Sequence, residues 1–270
     1  MRKYEPLNTK KHKDFSIIQN FPLEFCKKDS FCPILIEEVE RAASQAPVVF
    51  MKNDRDSFDL VMLLSLQQEQ NNFLNSSLHW TGGYMPATYR CYPFALLTEK
   101  PSEKKILGFD AASGIVTVNF GENSKRLFED DGTNSEHLNG IIKFLNAIET
   151  KRQHTLEALE TLNSYNLFEE WELKVSNNGK AENIKGLWKI SKDKLDALDP
   201  KEFTHLREIG SLQMIYGHFV SLFTLRNLIV ANEPNSNKGT QTLVDRTKER
   251  QEKASKQSVD NLVQDLLLDD

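Results

Sequence analysis

Leu138, Ile141, Ile142, Leu145, Ile148, Leu156, Leu159 and Leu162 recur at three- and four-residue intervals or their multiples, the period of an amphipathic helix, with charged and amide residues between them. Thr133-x-x-Glu136 precedes the run as a capping box, directly after the turn-forming Asp130-Asp131-Gly132. At about 1.5 Å per residue, a helix from Glu136 to Leu162 is roughly 40 Å long. Its apolar face has to be covered, and a sheet of the same chain is the expected partner. His137 and His154 stand too far apart on this helix to share a metal and read as solvent-facing.

Candidate strands for that sheet lie on both sides of the helix. Upstream, the spacing of Phe31, Leu35, Ile36, Val39, Ala42 and Ala43 predicts a helix from Pro33 to Ser44, with Glu37, Glu38, Glu40 and Arg41 as its solvent face. Val48-Val49-Phe50-Met51 reads as a buried strand, Asn53 to Asp56 as a turn, and Phe58 to Leu66 as the returning strand of a hairpin. Phe94–Thr98, Lys105–Phe109 and Ile115–Phe120 continue the pattern, so an antiparallel meander is expected over about residues 47–120. Downstream, Trp171 to Val175 alternates, and Asn178-Gly179 turns it back into Ile184, Gly186, Trp188 and Ile190 as a two-stranded ribbon. Too small to stand alone, that ribbon must lie on a helix or extend the first sheet. Asp199-Pro200-x-Glu202 caps a short helix that ends at Gly210, and a second helix follows from Ser211 to about Asn232 with Leu212, Ile215, Phe219, Leu222, Phe223 and Ile229 inward.

These elements predict a single α+β domain over residues 21–232: antiparallel sheets packed against a long helix, with a C-terminal helical pair. Residues 1–20, basic at first, read as a mobile or surface-laid arm. Residues 233–270 read as a disordered tail except for a short acidic amphipathic helix carrying Val259, Leu262, Val263, Leu266 and Leu267.

The most specific residues lie between Trp80 and Phe94, a stretch that also holds Gly82, Gly83, Tyr84, Pro86, Tyr89, Arg90, Cys91, Tyr92 and Pro93. Gly82-Gly83 permits positive φ and the two prolines fix theirs, so a shaped loop that enters a strand at Phe94 is expected. Arg90 is the only Lys or Arg between Arg55 and Lys100. Set among rigid aromatics, its guanidinium either clamps a carboxylate or phosphate of a ligand, or stacks on Tyr89 or Tyr92 and pairs with an internal acid. The candidate ligand-binding residues are Trp80, Tyr84, Tyr89, Arg90, Tyr92 and the adjacent His79.

Trp80, Tyr84, Pro86, Arg90, Pro93 and Phe94 form a W-x-x-x-Y-x-P-x-x-x-R-x-x-P-F signature. With Pro47, Val49, Phe50, Phe128, Gly132, Gly186, Gly210, Tyr216 and Ser221, it makes the chain resemble the bacterial SapC family over about residues 3–232. Two departures stand out. Gln70-Asn71-Asn72-Phe73 replaces an acidic-Asn-aliphatic-Phe pattern, and Cys91 stands where a second basic residue is common. The family is named for a locus that serves surface-layer proteins, so the resemblance implies a Gram-negative bacterium and a cytoplasmic accessory role. It implies no particular reaction.

The chain carries few recognisable catalytic patterns. Neither Walker, dinucleotide-binding, nucleophile-elbow nor zincin patterns occur, and no C-x-x-C pair does. His12-Lys13-Asp14 matches the H-x-D pair of non-haem iron oxygenases, but it lies among lysines and such a site needs a distant third ligand. No cofactor is expected. Cys26, Cys32 and Cys91 suit reduced thiols better than a zinc site or disulfide framework. A net charge of −5 argues against nucleic acid, and the longest apolar run, Leu60 to Leu64, is too short to insert in a membrane. The N-terminus lacks a secretory apolar region, so a cytoplasmic protein is expected. Two function classes remain: a binding or accessory protein that holds a peptide, protein or anionic ligand, and an enzyme that modifies a peptide or small metabolite, with His79 as acid or base and Arg90 as anion clamp.

Overall fold

The computed structural model describes residues 3–231 apart from 101, 119, 120, 122, 178 and 179. Its strands are β1 (Tyr4–Pro6), β2 (Ser16–Ile18), β3 (Phe31–Pro33), β4 (Val48–Lys52), β5 (Phe58–Leu63), β6 (Phe94–Glu99), β7 (Lys104–Asp110), β8 (Val116–Thr117), β9 (Ser124–Arg126), β10 (Phe168–Glu170), β11 (Leu173–Asn177), β12 (Lys180–Ile184) and β13 (Leu187–Ile190). The helices are α1 (Thr9–His12), α2 (Val39–Ala43), α3 (Ala87–Arg90), α4 (Glu136–Ser164), α5 (Lys192–Asp196), α6 (Pro200–Glu208), α7 (Ser211–Ser221) and α8 (Leu225–Ala231). All strand pairings given for these elements are antiparallel, and the fold is α+β.

The central sheet runs β10-β13-β4-β5-β3. Val48, Val49 and Phe50 are fully buried in β4 because both faces are covered: α7 packs on β4, and α4 on the adjacent β5. Each such side chain contributes about 1.5–3 kcal/mol through burial. The expected hairpin β4–β5 is present, but the single meander is not. Strands β6 and β7 leave to form a second sheet with β1, and β8 joins β2 and β9 in a third. The described part of the segment expected as a mobile or surface-laid arm, residues 3–20, is built into the sheets: β1 pairs with β7, and β2 lies between β8 and β9. The ribbon β11–β12 forms, its turn outside the described residues, but its return strand stops at Ile184, and Trp188 and Ile190, expected on the same strand, belong to β13, which extends the central sheet beside β4.

Helix α4 begins at Glu136 as expected, but its cap is Ser135, whose hydroxyl accepts from the Leu138 N–H, and not Thr133. Thr133 instead donates its N–H and its hydroxyl to the Asp131 carboxylate, which closes the preceding turn. Leu138 and Leu145 enter one apolar cluster with β6 and β7, and Ala158, Leu159 and Leu162 enter the other, with the central sheet. One rigid helix thus spans both clusters. The histidines on it are not simply solvent-facing. A His154 ring nitrogen lies 2.9 Å from the Ile209 carbonyl, and His137 lines a cavity.

Two further expectations are corrected. The helix from Pro33 to Ser44 is only a 3-10 turn over Ile36–Glu38 followed by α2, and Glu38 is buried, not on a solvent face. The C-terminal helix expected from Ser211 is broken by a 3-10 turn at Leu222–Thr224, and two of its expected inward residues face out. Ile215 is buried and Leu212, Phe219 and Leu222 pack partly, but Phe223 is 81% exposed and Ile229 is exposed too. Ser211, Met214, His218 and Ser221 face inward as well.

The inward polar residues complete the central sheet. The β13–β4 ladder ends at Trp188–Phe50, and beyond it His218 spans the gap. Its Nε2 accepts from the Ile190 N–H at 3.2 Å, which leaves Nδ1 to donate to the Val48 carbonyl at 2.7 Å. Ser221 Oγ accepts the Val48 N–H at 2.9 Å. A neutral imidazole is required there, and burial pushes the His218 pKa down to about 4. The tail expected after residue 233, including the segment from Val259 to Leu267, lies outside the described residues.

Candidate functional site

The Trp80–Phe94 segment is anchored from inside by Glu38. One carboxylate oxygen accepts from the Tyr84 hydroxyl at 2.6 Å and the Ala87 N–H at 2.7 Å, and the other from the Leu35 N–H at 2.8 Å. Gln45 adds a two-way clasp on the Tyr84 backbone, donating to its carbonyl at 2.7 Å and accepting its N–H at 3.3 Å. The Trp80 indole donates to the same carbonyl and stacks on Phe73 with ring centres 5.0 Å apart. Gly82 is needed here for space, not for positive φ. A Cβ on it would lie 2.7–2.8 Å from Gln45, Phe73 and Trp80 side-chain atoms. Neither Glu38, one of three glutamates in Glu37-Glu38-Val39-Glu40, nor Gln45 carries a local signal of this role.

The segment then turns through α3 and reaches β6 by a cis peptide between Tyr92 and Pro93. Tyr89 and Tyr92 are buried, and their hydroxyls donate to Asp29 at 2.8 Å and Asp110 at 3.0 Å. Phe25 stacks on Tyr92 and meets Tyr89 edge-on. Burial pushes the Tyr89 pKa up, and likewise takes the Cys91 thiol to about 11. Neither is a ready nucleophile. Cys26 and Cys32 are buried and form no disulfide, and burial also raises the Cys32 thiol.

Arg90 ends α3 and is exposed. Its Nε donates to the Met85 carbonyl and its Nη2 to the Tyr84 hydroxyl, both at 3.1 Å. The guanidinium lies over the Tyr84 ring at 5.5 Å and the Phe144 ring of α4 at 5.0 Å. No acid among the described residues forms an ion pair with it. The route to Glu38 passes through the Tyr84 phenol, which burial and that carboxylate raise to about 12. Arg90 is therefore held in place by neutral groups and keeps N–H donors to spare.

Around it opens a cavity of about 460 Å³. One wall is Ile17, Gln19, Asn20, Phe21 and Leu23; a second is His79, Trp80, Met85, Tyr89, Arg90, Cys91, Tyr92 and Phe94; the third is His137, Ile141 and Phe144 of α4. Five of the six candidate residues, His79, Trp80, Tyr89, Arg90 and Tyr92, thus share one cavity. Tyr84 lies behind Arg90 and supports it. His79 is exposed at the rim. The walls from α4 and from Ile17–Leu23 were not foreseen, although His137, Ile141 and Phe144 at i, i+4 and i+7 place one imidazole on an apolar stripe. His137 Nε2 is shielded from water and has no hydrogen-bond partner, and burial lowers the His137 pKa.

The H-x-D pair contributes nothing to this cavity. His12 is buried against Phe15 and Phe109, its Nδ1 accepts the Asn8 N–H, and its Nε2 faces Glu5 at 3.4 Å. Among the described residues no group of three or more His, Cys, Asp or Glu is placed to hold a metal ion, and no helix is long and apolar enough to cross a membrane.

No curated protein and no solved structure matches the chain. A family model does match, and the whole cavity from Ile17 to Phe144 falls within it. The SapC model covers residues 7–228, and the chain belongs to the SapC family.

Proposed function

We propose that this is a binding or accessory protein that holds a peptide or other anionic ligand in the cavity around Arg90. The observation that carries this reading is the lining itself. It is mainly apolar and aromatic, it contains no Asp or Glu, and its basic groups are Arg90, His79 and His137. A guanidinium with spare donors beside a low-dielectric, acid-free wall favours a ligand that brings its own negative charge. The family name adds the setting, a cytoplasmic role in a bacterial surface-protein system of the surface-layer type.

Calorimetric titration with decanoate and with 3-phenylpropionate tests it. Both acids are expected to bind, and their methyl esters to bind at least about tenfold more weakly, a loss of about 1.4 kcal/mol. Arg90→Lys keeps the charge but removes the planar fork, so it should weaken both acids by a similar factor. Equal binding of acid and ester would remove the anion site.

A further inference from the structure

A strand that ends a sheet shows one row of unpaired backbone groups, and several edges of this fold are blunted against stray pairing. β1, β3 and β10 have three residues each; Pro6 and Pro33 end the first two, and Glu169 and Glu170 occupy the third. β9 carries Lys125 and Arg126. β6 has no such guard. It has six residues, ends its sheet in the order β1-β7-β6, and reads Phe94-Ala95-Leu96-Leu97-Thr98 before its first charge at Glu99. Ala95, Leu96 and Leu97 are half-buried and Thr98 is exposed. The register identifies the free groups. Phe94 faces Phe109, and the Asp110 N–H donates to the Pro93 carbonyl at 2.9 Å. Backbone direction alternates along an antiparallel pair, so Ala95, Leu97 and Glu99 bond to β7, while Phe94, Leu96 and Thr98 turn outward. The Cys91 carbonyl takes the Phe94 N–H at 2.8 Å. The N–H groups of Leu96 and Thr98 and the carbonyls of Phe94, Leu96 and Thr98 bond to no other described residue.

We infer that two copies of this chain pair edge to edge through β6, antiparallel about a twofold axis at Leu96. What selects a second copy is that the outward groups are complementary to themselves. With Leu96 opposite the partner's Leu96, each Leu96 N–H donates to the other copy's Leu96 carbonyl, and each Thr98 N–H to the other copy's Phe94 carbonyl. Every free donor of the edge then has an acceptor. The Thr98 carbonyl alone is left over, at the exposed end, because the Phe94 N–H that would meet it is already taken. No charge between Phe94 and Thr98 opposes the pairing. Leu96, which packs partly on the apolar cluster under α4, meets its own copy on that face, and Leu97 meets the partner's Ala95 on the other. The sheet β1-β7-β6 thereby continues into the second chain. A single strand pair is at the small end of specific interfaces, which usually bury about 1,200–2,000 Å², so a reversible dimer is expected and not an obligate one.

Sedimentation velocity of the full chain from about 1 to 300 µM tests it, with a shift from 31.0 kDa towards twice that mass expected as concentration rises. Thr98→Pro removes an outward donor from each copy and leaves the ladder to β7 intact, so the dissociation constant should rise at least about tenfold. Thr98→Val keeps the N–H and should dimerise like the parent. Val220→Glu, on the separate exposed stripe of Tyr216, Val220 and Phe223, should do the same. Melting curves establish that the variants fold. Amide exchange on the unaltered chain gives a second measure: the Leu96 and Thr98 amides should exchange several-fold more slowly at the high concentration than at the low one. A chain that stays monomeric throughout overturns the inference. So does a dimer that Thr98→Pro leaves unchanged, one that Val220→Glu dissolves, or one in which the Leu96 and Thr98 amides gain no protection.

Discussion

Glu38→Gln replaces a buried carboxylate by an isostere and tests what holds the signature segment in shape. Three donors converge on the carboxylate at 2.6–2.8 Å: the Tyr84 hydroxyl, the Ala87 N–H and the Leu35 N–H. The two oxygens divide them two to one, so the best orientation of a Gln amide turns its nitrogen towards Leu35. That leaves one buried N–H facing another donor, a loss of about 1–3 kcal/mol. The other two bonds change from charged to neutral acceptors, about 1 kcal/mol each. Relief from burying a charge offsets part of this, and the net cost is about 2–4 kcal/mol. For a domain of this size the melting temperature should fall by roughly 4–16 °C. Thermal and urea unfolding followed by far-UV circular dichroism measures it. Ultraviolet titration should also show one tyrosine ionising closer to its ordinary value, since Glu38 helps raise Tyr84 to about 12. A variant within about 1 kcal/mol of the parent would refute the view that Glu38 anchors the segment.

Gly82→Ala should cost about 1–3 kcal/mol by overpacking against Gln45, Phe73 and Trp80, whereas Gly83→Ala, with only Gln45 within reach, should be near neutral; unfolding curves with Trp fluorescence compare the two. His218 has a folded pKa of about 4 against an ordinary 6.5, so its contribution is fully present above about pH 6.5 and is lost as pH falls towards 4. Urea unfolding between those limits should show a loss of up to about 3 kcal/mol that His218→Gln abolishes, and an unchanged slope in the variant would refute the assignment. Truncation after Glu233 should shift the melting temperature by less than about 2 °C, because the last buried core residue described is Leu228; a larger fall would mean that the tail docks on the body.

Elements with a strong local period were legible in the sequence: α4 from its leucines and isoleucines, the β4–β5 hairpin from Val48 to Phe58, and α6 from Asp199-Pro200-x-Glu202. Pairing partners were not, because alternation in Phe94–Glu99 marks a strand without saying which sheet receives it. Glu38 could not be told from Glu37 and Glu40, since its burial depends on a loop that returns about fifty residues later. Phe223 and Ile229 were misplaced because hydrophobicity alone favours them over His218 and Ser221. The latter two turn inward only because the backbone of Val48 and Ile190 lacks ladder partners. At the site, the aromatic and Arg90 wall was readable from composition, while the walls from Ile17–Leu23 and α4 depend on tertiary contact.

The bond from Val48 to Ser221 joins residues 173 apart. At a synthesis rate of about 5–20 residues per second, the ribosome needs roughly 9–35 s to make the second partner after the first. During that interval β4 and β5 can form their hairpin, but the outer edge of β4 waits for β13, and the face that α7 covers stays open. Such a nascent chain offers an unpaired, Val- and Phe-rich strand to its neighbours. Release from the ribosome before α7 has docked is therefore the step at which this protein is most exposed to self-association, and holding chaperones that bind apolar strands should raise its soluble yield without altering the finished fold.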